Sequence, residues 1–131
     1  MDYFLGLDCS TQSLTGYIID FNNKKSKFSY SINFDKDLSH YKTQNGVYTS
    51  NDSKIVQSNP LMWIEALEML FNRFIQDNLP LEHIKAISGS GQQHGTVYLN
   101  SSFESILKKL DSNKSLTNQL VHVFTRNLSP V

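Results

Sequence analysis

Two short polar stretches carry the side chains with most scope for chemistry. "DCSTQS", residues 8–13, sets the carboxylate of Asp8 just ahead of a run of hydroxyl and amide side chains. In a tight turn at a strand end, main-chain N–H groups and the side chains of Ser10, Thr11 and Gln12 can donate to phosphate oxygens. Asp8 can hold Mg²⁺ through water, because Mg²⁺ gives up its hydration shell reluctantly. The same residues also suit an ordinary polar hairpin in which Asp8 bonds its own turn. Taken by itself the pattern favours that plainer reading, since short Asx and Ser turns are common.

The second stretch is "SGSGQQHG", residues 88–95. A dinucleotide fingerprint needs glycines at its first, third and sixth positions before a helix. Gly89 and Gly91 fit, but Gly95 falls one residue late and "TVYL" (96–99) does not start a helix. No glycine loop ending in Lys-Ser or Lys-Thr is present either. What remains is a flexible strand exit that delivers Gln92, Gln93 and His94 to one small region. Two amides and an imidazole both donate and accept hydrogen bonds, which suits a polyhydroxylated ligand, and flanking glycines permit close approach. A histidine satisfied by nearby backbone fits the pattern equally well. His40, His83 and His122 lack such surroundings, and no histidine stands at metal-ligand spacing from another or from Cys9.

The elements that must position these stretches follow from periodicity. "YFLGLD" (3–8) is apolar on both faces, as a buried central strand should be. "LTGYIIDF" (14–21) follows, and "KFSYSINF" (27–34) alternates Phe28, Tyr30, Ile32 and Phe34 with polar residues. Short polar links imply an antiparallel meander. Residues 35–57 show no sustained period, which marks a functional or mobile connection. The span 59–78 predicts a helix capped by Ser58 or Asn59, with Pro60 in its first turn and Pro80 beyond its end. Its expected core stripe is Ile64, Leu67, Leu70, Phe71, Phe74 and Ile75. "IKAIS" (84–88) predicts a further strand. Ser101 and Glu104 form a capping-box pattern, and a last short helix is expected over roughly 116–124. Three antiparallel strands, a crossover helix and another strand imply an α/β domain with a mixed sheet that looks unfinished.

Composition narrows the class. The 131 residues suit one domain, and 39% hydrophobic content argues for a packed core. Twelve basic residues balance twelve acidic ones, so bulk charge gives no reason to expect nucleic-acid binding. The lone Cys9 excludes an internal disulfide and fits a reducing compartment. No apolar run reaches membrane-spanning length and no signal peptide opens the chain, so a cytoplasmic protein is expected.

"YFLGLDCSTQS" with a second strand ending "YIID", followed downstream by "SGSGQQHG", resembles the FGGY carbohydrate kinases. "FDKDLSHYKTQNGVY" (34–48) and "NPLMWIEALEML" (59–70) make the chain similar to the eukaryotic xylulose kinase branch in particular. The resemblance implies an RNase H-like domain of the actin-like ATPase superfamily, incomplete at its C-terminus, with a second, adenosine-binding domain absent. The implied reaction is phosphorylation of D-xylulose by ATP with Mg²⁺, giving xylulose 5-phosphate. Residue by residue, Asp8 matches the family's aspartate near Mg²⁺ and the γ-phosphate, and Ser10, Thr11 and Gln12 match the hairpin facing the transferred phosphate. His94 matches the sugar-contacting histidine, with Gln93 beside it. The family's general base lies in a later segment, so none is expected among these residues, and the 131 residues alone are expected to be inactive.

Thr15 stands where family members usually carry Lys or Arg, which weakens charge stabilisation beside the phosphates. A non-catalytic module of the same fold, or a kinase for another sugar or polyol, are the competing expectations. An RNase H-like nuclease is disfavoured, because a two-metal site needs several convergent carboxylates and the later strands offer none.

Overall fold

The computed structural model describes residues 2–124 and 128–131. Three strands open the fold: β1 (Tyr3–Cys9), β2 (Ser13–Asp20) and β3 (Lys25–Asn33). Each pairs antiparallel with the next, as the short polar turns require. Asp20 organises the second turn, accepting from the Asn22 and Asn23 amides and, at 2.8 Å, from the Asn23 side chain. A four-residue helix α1 (Phe34–Asp37), β4 (Tyr48–Thr49) and β5 (Val56–Ser58) fill the connection to helix α2 (Pro60–Gln76). From α2 the chain enters β6 (Ile84–Gly91), which lies parallel to β1. Short helices α3 (Phe103–Leu107) and α4 (Leu116–Leu120) follow, and β7 (Ser129–Pro130) pairs with β5.

The main sheet has the order β3-β2-β1-β6 and is therefore mixed, as expected. A parallel pair cannot be closed by a tight turn, so the crossover through α2 is what permits β1 and β6 to lie side by side. α2 starts where the sequence indicates: Asn59 accepts from the Leu61 amide at 3.0 Å, and Pro60 stands in the first turn. Its fully buried line is Met62, Ala66, Leu70 and Phe74, spaced four apart; Leu70 and Phe74 belong to the expected stripe, and Leu67 and Phe71 pack half-buried against the same core. Ile75 lies outside that line and is 60% exposed. Hydrophobicity alone overweights large side chains; the sheet accepts the row that allows closest approach, including a small Ala66.

That approach is closest at Gly16, where a Cβ would come within 2.8 Å of Phe74 Cζ and 2.9 Å of Leu70 Cδ2. Tyr3, Leu5, Leu14, Ile18, Ile32 and Phe34 complete the core between sheet and helix. Each large apolar side chain buried there contributes about 1.5–3 kcal/mol by removal from water.

Several expectations for the C-terminal third are corrected. The Ser101–Glu104 capping box does not form; Asn100 Oδ1 instead accepts the Ser102 amide, and α3 has no side-chain cap. The last helix ends at Leu120 and does not reach 124. α4 is docked by a carboxylate on α2: Glu68 accepts from Leu116 N (2.8 Å), Thr117 N (3.0 Å) and Ser115 Oγ (3.0 Å).

Burial alone would raise the Glu68 pKa, but the hydrogen bonds from Thr117, Ser115 and Leu116 outweigh it and hold it below the usual carboxylate range. A depressed native pKa gives stabilisation that is full above the unfolded value of 4.5 and lost as pH falls through the lower native value. Amide-exchange protection of Leu116 and Thr117 should therefore be lost as pH falls below 4.5, ahead of the β1–β3 amides. Glu68→Gln should reproduce that loss at pH 6. Protection that persists equally in both segments would show that Glu68 does not anchor α4.

Candidate functional site

The two polar stretches meet at the carboxyl end of β1. "DCSTQS" spans the end of β1 and the turn into β2. Ser10 N–H donates to Ser13 O at 2.9 Å, Ser10 Oγ contacts the same carbonyl at 3.1 Å, and the Ser13 amide donates to Ser10 Oγ at 3.3 Å. The turn is thus closed by its own serines. The alternative in which Asp8 bonds that turn is not what forms, for Asp8 Oδ1 accepts from Ser90 Oγ at 2.7 Å across the parallel ladder.

"SGSG" is not a flexible exit. It continues β6, pairing Gly6 with Ser88, Leu7 with Gly89, Asp8 with Ser90 and Cys9 with Gly91. The turn that follows carries Gln92, Gln93 and His94, and Gln92 Nε2 donates to Ser10 O at 3.3 Å. Eighty-two residues apart in the chain, the two stretches share one open cleft of about 400 Å³.

Asp8, Ser10, Thr11, Gln93 and His94 all line this cleft, together with Gly91, Gln92 and Val131. Gln12 does not line it; its side chain is exposed and its carbonyl accepts the Phe34 amide at 3.0 Å. Thr15 lies outside the cleft, and its hydroxyl is 2.9 Å from Ser31 Oγ on β3. Ser90 was not among the candidate residues; only the parallel register with Asp8 singles it out. Among the described residues no three His, Cys, Asp or Glu side chains are grouped to hold a metal directly. One carboxylate among hydroxyls and amides suits a cation that keeps its water shell.

The cleft is braced from behind by the connection that lacks a period. Residues 35–47 are an ordered loop built on Asp35, which accepts from Thr43 Oγ1 (2.6 Å), the Asn45 amide (2.7 Å) and the Gly46 amide (3.0 Å). Asn45 and Gly46 hold φ of +54° and +78°. A Cβ on Gly46 would lie 1.9 Å from the Thr11 carbonyl oxygen, so this turn packs directly on the cleft hairpin. Ser58 Oγ fixes the other side of Gly46, donating to its carbonyl at 2.8 Å.

Cys9, next to Asp8, has its thiol pushed up to about 11 by burial and, second, by the Asp8 carboxylate. At pH 8 about one molecule in a thousand then carries the reactive thiolate. Alkylation of Cys9 by iodoacetamide at pH 8 should be at least about a hundredfold slower than that of free cysteine. Modification at the free-cysteine rate would contradict this burial.

A larger cavity, of about 690 Å³, lies elsewhere, between Ile64, Val97, Leu99, Phe103 and Leu120. Among the described residues no Asp, Glu, His, Lys or Arg side chain lines it. The titratable side chains Asp8 and His94 line the smaller cleft instead. Among the described residues no helix is long and apolar enough to cross a membrane.

No protein-family model matches the chain. A solved structure does: a xyloylose kinase from Brucella ovis superposes with a TM-score of 0.59 at 21% identity, over 76% of this chain and 18% of that one. The mixed sheet with its crossover helix is therefore the fold of the matching part of that structure.

Sequence relatives narrow the class. The chain is 41% identical over 130 residues to xylulose kinase 2 of Arabidopsis thaliana, covering 98% of this chain and 23% of that protein. It is 38% identical over 133 residues to the xylulose kinase of Saccharomyces cerevisiae, covering 98% and 21%. The chain is a homologue of xylulose kinases along nearly all of its own length, and it spans about a fifth of theirs.

Proposed function

We propose that this chain forms the acceptor- and phosphate-facing wall of an ATP-dependent D-xylulose kinase, part of the first of two domains, the second binding adenosine. The observation that carries the reading is the convergence of Asp8, Ser10, Thr11, Gln93 and His94 on one cleft. His94 and Gln93 hydrogen-bond the sugar hydroxyls, imidazole and amide each offering a donor and an acceptor. Thr11 donates to the phosphate oxygens from the opposite side of the cleft, and the Ser10 hydroxyl does so by turning away from the Ser13 carbonyl. Asp8 would hold Mg²⁺ through its water shell at the end of β1 by its negative charge. When bound, MgATP supplies the phosphoryl group and neutralises much of its charge.

The remaining requirement of phosphoryl transfer is alignment of the acceptor hydroxyl with the γ-phosphorus. A rigid wall that carries the acceptor contacts and the phosphate contacts on neighbouring strands meets it. Apart from Asp8, no described Asp or Glu side chain lines the cleft.

Titration of the ¹⁵N-labelled chain with D-xylulose tests the acceptor half of this reading. Saturable shifts should concentrate at Gln92–Gly95 and disappear in His94→Ala. Shifts confined to the apolar cavity, or none at saturating sugar, would overturn it.

A further inference from the structure

Two cross-connections join the acceptor side of the cleft to its phosphate side. Ser90 Oγ–H donates to Asp8 Oδ1 at 2.7 Å, and Gln92 Nε2–H donates to Ser10 O at 3.3 Å. Both donors come from β6 and the residue after it, directly ahead of Gln93 and His94. Both acceptors belong to the end of β1 and its turn. We propose that Ser90 and Gln92 are positioning residues that set Asp8 and the Ser10–Ser13 turn in register with Gln93 and His94. This inference rests on the acceptor-site reading above and goes beyond it by naming how the two halves are held together.

Both bonds act by restraint. Asp8 is exposed, so without a partner its carboxylate would sample several rotamers. A hydroxyl donor at 2.7 Å selects one of them and leaves the second oxygen for other contacts. Ser90 can do this only because the parallel register sets it opposite Asp8. Gln92 is the half-buried member of the 90–95 stretch, whose other residues are exposed, as expected of a side chain turned inward as a strut. A Cβ on Gly95 would meet Gln92 Cβ at 3.4 Å and Gln92 Oε1 at 3.5 Å, so the turn carrying His94 folds back over the same side chain. Gln92 thereby touches both halves, and movement of the His94 turn is transmitted to the Ser10 carbonyl.

The test uses the full chain in two NMR readouts. Without ligand, Ser90→Ala and Gln92→Ala should each speed amide exchange at Ser10 by about fivefold, the scale of one lost hydrogen bond, while β2 and β3 amides keep their rates. Ser90→Thr, which keeps the hydroxyl, should restore the Ser90 effect. With D-xylulose, the wild-type chain should shift Ser10 and Thr11 as well as Gln93 and His94. The double variant should keep the Gln93–His94 response and lose that at Ser10 and Thr11. A Ser10–Thr11 response that survives in the double variant, or exchange unchanged by either substitution, would overturn the positioning role. If sugar perturbs no residue at Gln93–His94, the acceptor-site reading fails, and the ligand-free exchange rates still decide whether the struts exist.

Discussion

Gly46→Ala is expected to be the most destabilising single methyl that can be added to this chain. Two independent costs fall on it. At φ +78° an L-residue is in the left-handed region, which costs about 1–2 kcal/mol. The new Cβ would also lie 1.9 Å from the Thr11 carbonyl oxygen, a backbone atom that cannot rotate away. Relief requires moving either the Asp35 loop or the cleft hairpin, and both are tied by several hydrogen bonds. A total of about 3–5 kcal/mol follows, corresponding to a fall in melting temperature of about 10–20 °C for a domain of this size. Gly91→Ala is the control, because a Cβ there meets nothing within 4 Å. Thermal melts of the two variants decide the matter; equal melting temperatures would mean the loop does not brace the hairpin.

Asp8→Asn should leave the fold intact and remove most of the turnover. Asparagine keeps an oxygen to accept from Ser90 and keeps the volume of the side chain, so the ladder between β1 and β6 persists. What it loses is the negative charge of the one Asp or Glu side chain that lines the cleft among the described residues. The assay is xylulose-dependent ADP production by the Saccharomyces cerevisiae xylulose kinase in which the matching segment is exchanged for this chain. A fall in kcat of about a hundredfold or more is expected, on the scale of losing one preorganised electrostatic contact. Turnover within a few-fold of the unsubstituted exchange would remove Asp8 from the phosphate side.

The regular elements around the cleft are legible in the sequence because burial imposes a period on them. β1 to β3 and α2 fall where alternation, helical spacing and the Asn59–Pro60 start place them. The same signal finds Leu70 and Phe74 on the buried face of α2 but misses Met62 and Ala66, since spacing does not reveal that the sheet would take the narrow row through Ala66. It also stops short at residues 89–91, where a strand of alternating glycine and serine has no apolar face to report. Only its partner β1 makes that segment a strand.

The loop of residues 35–47 was illegible for a different reason. It is held by one carboxylate, Asp35, reaching across eleven residues to backbone amides, and such bonds leave no periodic trace. The Asn45–Gly46 dipeptide is the one local cue to its turn. Within the site, residue types pointed to Asp8, Ser10, Thr11, Gln93 and His94, and these share the cleft. Ser90 and its bond to Asp8 depend on a register set between strands far apart in the chain, which composition and spacing do not encode.

The claim that this cleft binds the sugar acceptor is tested most directly by His94→Ala in the same exchanged kinase. Loss of a hydrogen-bonding contact to a sugar hydroxyl should raise the KM for D-xylulose about tenfold or more, while the KM for ATP stays within about twofold. An unchanged KM for D-xylulose, or an equal rise in both constants, would contradict the account.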